Sequence, residues 1–136
     1  MKTQNRSYAL SSLHPELPLV ARTISPQEVV VMDWSEQAEK GRFRGKVGTV
    51  QALALHPEGK LVAVAGELDR VEVWDSGSKE MLASFEGKVN GLRFGIDGRL
   101  LLLGQPGELV AWDWRAGQVA WRAQERGFDN PTLLDC

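Results

Sequence analysis

Apolar residues fall in short runs separated by turn residues along most of the chain, and the middle third shows the plan best. From Thr49 to Leu55 the apolar positions are Val50, Leu53 and Leu55. His56-Pro57-Glu58-Gly59 follows as a turn, in which proline fixes one φ and glycine permits the left-handed region. Leu61 to Ala65 is unbroken apolar sequence, as in a strand buried on both faces. After the polar turn Glu67 to Arg70, the run Val71-Glu72-Val73-Trp74 alternates with the period of a strand. Asp75-Ser76-Gly77-Ser78 is a third turn, and Glu80 to Glu86 is a fourth, outer strand ending at Gly87. Nothing longer than a helical turn is expected, at Ser35 to Lys40 or Lys79 to Leu82.

The plan repeats. A shift of 42 positions lays Leu13-His14-Pro15-Glu16 on Leu55-His56-Pro57-Glu58, Leu19-Val20-Ala21 on Leu61-Val62-Ala63, and Val29, Val31 and Asp33 on Val71, Val73 and Asp75. Ten identities without a gap are a repeat, and a repeat governs the fold. A third copy matches Leu92-Arg93-Phe94 to Leu53-Ala54-Leu55 and Asp97-Gly98-Arg99-Leu100 to Glu58-Gly59-Lys60-Leu61. It ends by matching Leu109-Val110-Ala111-Trp112-Asp113 to Val71-Glu72-Val73-Trp74-Asp75. Its length difference lies in the connection Gly87 to Leu92, where deletion costs least.

The run from Gly45 through Leu55 and the Pro57-Glu58-Gly59-Lys60 turn to Val73-Trp74-Asp75 resembles a WD-repeat unit, and Phe94 to Trp112-Asp113 repeats the outline. The first unit closes on Met32-Asp33 instead. The resemblance covers about Tyr8 to Arg126 and implies an all-β fold of three four-stranded antiparallel blades forming a partial β-propeller. The units are about 1–45, 46–87 and 88–126, and the tail 127–136 resembles the start of a fourth. Asp33, Trp74, Asp75, Trp112 and Asp113 are the repeat's structural residues. The family's Gly-His pair reads Gly45-Lys46 and Gly87-Lys88 here, and a position that often holds serine or threonine is Val64. The strand-tying hydrogen-bond network of such units is therefore expected to be absent, with apolar packing and the Trp74 and Trp112 rings in its place. Closed propellers have four to eight blades, so three leave two faces uncovered. Neither end looks capped, the first unit offering Leu10, Leu13, Val20, Val29 and Val31.

Composition narrows the function. With 43% hydrophobic and 25% charged residues and a net charge of −2, the chain reads as one globular domain without a nucleic-acid or membrane surface. The single cysteine, Cys136, fits a reducing compartment, and no apolar run is long enough to span a bilayer. A cytoplasmic protein is expected.

Candidate chemistry is sparse. His14 and His56 share one repeat slot, which holds equivalent side chains apart, and zinc needs ligands that converge. No metal or cofactor is expected. Asp33, Asp75 and Asp113 share the register in which aspartate accepts backbone N–H bonds of a following turn. No serine sits in a nucleophile elbow, and no glycine-rich loop opens a helix. A non-enzyme is expected.

What remains is surface. The resemblance places Lys46, Glu67, Asp69, Arg70, Lys88, Gln105 and Glu108 on one face, a mixed-charge set suited to protein contact. The other face carries Trp34 and Trp114, either as exposed interface anchors or folded back on their own blades. Arg42 and Arg44 read as a solvated edge. The expected function is a protein-interaction scaffold that self-associates or completes another chain's propeller. The alternatives are a fragment or regulatory part of a larger propeller attached to a signalling kinase or protease and, more weakly, a glycan or small-ligand binder using Trp34 and Trp114.

Overall fold

The computed structural model describes residues 10–124. It is all-β, with twelve strands in three four-stranded antiparallel sheets that are not closed into a propeller. The first blade holds β1 (Ser11–Leu13), β2 (Leu19–Thr23), β3 (Glu28–Asp33) and β4 (Ala38–Arg44). The second holds β5 (Val50–Leu55), β6 (Leu61–Gly66), β7 (Arg70–Asp75) and β8 (Glu80–Glu86). The third holds β9 (Gly91–Phe94), β10 (Leu100–Gln105), β11 (Glu108–Asp113) and β12 (Gln118–Gln124). Each blade is a simple meander, with each strand paired to the next in sequence. The tail and Cys136 lie outside the described residues.

Repetition extends to irregularities. Each pairing of third and fourth strands shifts register at the same place, after Val31, Val73 and Ala111. Each hairpin before the fourth strand turns on a positive φ, at Gln37 (55°), Lys79 (65°) and Gly117 (73°). Asp33, Asp75 and Asp113 set up these turns: each Oδ1 accepts backbone N–H bonds, from Ser35 and Glu36, from Gly77 and Ser78, and from Ala116. The capped aspartate and left-handed residue send the chain straight into a strand. Neither suggested helical turn forms: Ala38 to Lys40 and Glu80 to Leu82 belong to β4 and β8.

Two apolar cores join the blades. The first–second junction packs Ala21, Val29, Val31 and Phe43 against Val47, Val50, Val62, Val64 and Trp74. The second–third junction packs Ala54, Leu61, Ala63, Val71 and Val73 against Phe94, Leu101, Leu103, Val110, Trp112 and Trp114. β6 lies between them and is buried along its whole length, as its apolar sequence predicts. At about 25 cal/mol per Å², such burial is the main stabilising term.

Strand register assigns every side chain to a blade face. Ser12–Ala21–Val31–Gly41, Ala54–Ala63–Val73–Ala83 and Arg93–Leu102–Ala111–Trp121 are equivalent rows, each on the face turned toward the next blade. This corrects the expectation for the first unit. Val29 and Val31 are not on its uncovered face but fully buried against the second blade. The opposite face, which no other described blade covers, carries Leu13, Val20 and Met32, and beside them the row Ser11–Arg22–Val30–Arg42. Arg22 stands where the second and third blades bury Val64 and Leu103, so that end is partly capped by charge.

Candidate interaction surface

The loops between second and third strands and those between blades gather at one end of the array. Backbone bonds from Gly45 N to Gln27 O, Leu68 N to Val47 O and Gly87 N to Asp69 O tie them together. Lys46, Glu67, Asp69, Arg70, Lys88, Gln105 and Glu108 all lie on or beside these loops. Several of its charges are already engaged. Glu67 accepts the Thr49 N–H at 2.8 Å, and that bond holds its carboxyl below the usual range. Glu108 pairs with Arg122 at 3.2 Å. Lys46, Asp69 and Lys88 remain exposed.

Arg70 leads inward to a group that sequence reasoning missed. Its Nε lies 3.0 Å from Glu72 Oε2, and Glu72 is fully buried. Glu72 Oε1 accepts both the Trp74 ring N–H and the Lys46 backbone N–H at 2.8 Å. Arg70 Nε and Oε2 approach without hydrogen-bond alignment, so charge attraction alone holds that side of the pair. A polar network therefore ties the second blade to the incoming chain, contrary to the expectation that apolar packing alone would serve. A glutamate on β7 supplies it, because Val64 cannot.

The two histidines make matched links between blades. His14 Nδ1 accepts the Glu16 and Leu17 N–H groups, and its Nε2–H donates to the Pro57 carbonyl of the next blade. His56 Nδ1 accepts the Glu58 N–H, and its Nε2–H donates to the Gly98 carbonyl at 3.2 Å. These bonds fix the neutral Nε2–H tautomer. Burial pushes the His56 pKa down, opposed more weakly by the nearby Glu58. The third blade has Gly95 in this slot and makes no such link.

The two tryptophans expected to behave alike do not. Trp34 is 57% exposed. Trp114 is buried: its ring N–H donates to Gly98 O at 3.0 Å, its edge meets His56 and Phe94, and the Arg115 guanidinium lies 4.7 Å over its face. Trp114 is thus withdrawn from the interaction surface, because Phe94 and Gly98 of its own blade and His56 of the preceding one give it a seat that Trp34 lacks. A glycan site built on this pair loses one of its two rings. Trp121, not foreseen, is 45% exposed on the outward row of the third blade. The column Gly41, Ala83, Trp121 was the available signal, since the residue grows from a position with no room to one with no neighbour.

The inner strands β1, β5 and β9 border an open trough of about 590 Å³, lined among others by Leu13, His14, Glu16, Arg93, Phe94 and Ile96. Leu13 and Ile96 form its two lips and are 69% and 100% exposed. One cation and one carboxylate among apolar side chains make a surface that can hold a partner. Among the described residues no three His, Cys, Asp or Glu side chains converge as a metal centre requires. No helix there is long and apolar enough to cross a membrane.

Comparison with known protein families finds no match, and comparison with characterised proteins finds none either.

Proposed function

We propose that this chain is a non-catalytic, cytoplasmic protein-interaction scaffold of the WD-repeat kind, whose contact surfaces are the two open faces of its blade array. One observation carries this reading. The third blade carries the row Arg93–Leu102–Ala111–Trp121, with Arg93 and Trp121 exposed, Leu102 half-buried and Ala111 buried, in the register whose counterparts bury against a following blade in the first and second. A face patterned for burial and left open is a contact site in search of a partner. The partner is another protein or a second copy of the chain.

The test is affinity capture from cell extract with the wild-type chain and with Leu102→Asp, which places a charge in the middle of that row. The expected result is one protein retained in stoichiometric amount by the wild type and lost with the variant. Retention of nothing, together with no self-association, overturns the reading. The uncovered faces also fit a second reading, in which further blades continue the array as part of a propeller attached to a signalling enzyme such as a kinase or protease. Adjoining coding sequence that encodes more such units or a catalytic domain favours it.

A further inference from the structure

We propose that the partner of the open faces is a second copy of this chain, bound head to tail. The outward face of the third blade then seats on the outward face of the first blade of the other copy, and two such contacts close a six-bladed ring. The inference rests on the scaffold reading above and names its partner. Its support is a pair of tryptophans exposed at the two ends, in repeat positions whose counterparts Gly41 and Ser76 touch at the first junction.

At both internal junctions a glycine in the following blade's first turn makes room for the preceding blade. A Cβ at Gly59 would lie 2.5 Å from Leu19 Cδ1, and one at Gly98 would lie 2.1 Å from His56 Nε2. His56 fills the space at Gly98, whereas Leu19 and Leu17 of the first blade fill the space at Gly59. The third blade has Gly95 in the histidine slot, and the first blade has Leu17 in the glycine slot. Leu17 is 45% exposed, and its side chain lies beside Gly59 of the second blade.

One column pair points to a contact between the ends. Gly41 presses on Ser76, whose carbonyl oxygen would be 2.5 Å from a Cβ there. In the next junction the equivalent positions are Ala83 and Trp114. At the ends they are Trp121 and Trp34, both exposed. A head-to-tail contact brings these two rings face to face, at a wider blade spacing than Gly41 and Ser76 allow. The same contact brings Leu13 and Ile96, the exposed lips of the trough, to one seam. Six blades lie within the range in which propellers close, and a contact that closes on itself leaves no unpaired end to propagate.

Analytical ultracentrifugation of the full chain, from about 1 to about 100 μM, tests this. The expected species has twice the 15.0 kDa chain mass. Trp121→Glu and Trp34→Lys are each expected to weaken association at least about tenfold, as loss of a central aromatic contact does. Near-ultraviolet circular dichroism should stay native, since neither ring is buried in its own copy. The double variant, which places Glu against Lys across each contact, is expected to recover the dimer. A wild type that stays at 15.0 kDa throughout, single variants that still dimerise, or an open-ended series of larger species each overturn the second-copy inference. A monomeric wild type that still captures another protein through Leu102 overturns this inference while leaving the scaffold reading standing. A monomer that captures nothing overturns both.

Discussion

The two blade junctions fill the same repeat slots in different ways. Between the first and second blades most side chains are small or β-branched, Phe43, Leu55 and Trp74 apart, and the backbones approach closely. Gly41 lies against Ser76, Ser12 Oγ accepts the Leu55 N–H at 3.1 Å, and Phe43 stacks on Trp74 with ring centres 5.2 Å apart. The buried Glu72 network closes the end of this junction. Between the second and third blades the slots hold Leu101, Leu103, Phe94, Trp112 and Trp114, with His56 wedged among the rings. One junction depends on fit and hydrogen bonds and the other on apolar bulk. A repeat therefore conserves strand register and turn chemistry while leaving the filling of each interface free to drift, provided both sides drift together.

That contrast can be broken from either side. The largest effect is expected at the aromatic junction. Trp114→Ala removes the ring that covers His56 and Phe94 and should cost about 3–5 kcal/mol in a urea melt. The next is Glu72→Ala, which strands the Trp74 ring N–H and the Lys46 N–H in a buried site. A loss of about 2–3 kcal/mol is expected, with Glu72→Gln losing less because it keeps one acceptor. Gly41→Ala should cost about 1–3 kcal/mol by forcing the first and second blades apart. Because Gly41 and Trp114 sit in different junctions, the double variant should show the sum of the two losses.

A smaller effect separates the junctions by pH. The folded pKa of His56 lies below the ordinary value of 6.5 because burial disfavours the charged ring. Protonation would also put a hydrogen on Nδ1, which accepts the Glu58 N–H. As pH falls through 6.5 the unfolded chain takes up the proton before the folded chain does, so stability falls as pH drops through that range and is retained above it. The measurement is the urea midpoint between neutral and mildly acidic pH, and His56→Gln should flatten that slope.

Much of the fold was legible because its signals are local. The aspartate turns, the alternation of β7 and the apolar run of β6 each need only neighbouring residues, and the 42-residue shift carried them from one unit to the next. What escaped depends on residues distant in sequence. Glu72 reads as the solvent half of an alternating strand, and only the folded chain brings Lys46, 26 residues earlier, to its carboxylate. Trp34 and Trp114 occupy one repeat position, and their opposite fates are decided by Phe94 of the same blade and His56 of the preceding one, which enclose Trp114. Trp121 looked like part of an ordinary outer strand until its column with Gly41 and Ala83 showed what that position faces. Local patterns thus gave the blades, while the candidate surface depends on which blade has a neighbour.

The most direct test of the open-face account is hydroxyl-radical footprinting of the five tryptophans in the free and the assembled protein. Trp74, Trp112 and Trp114 should be protected in both, since each is buried within a junction. Trp34 and Trp121 should react readily in dilute protein and become protected together as the protein assembles. If both remain reactive under every condition in which the chain associates, the ends of the array are not its contact surfaces and the account fails.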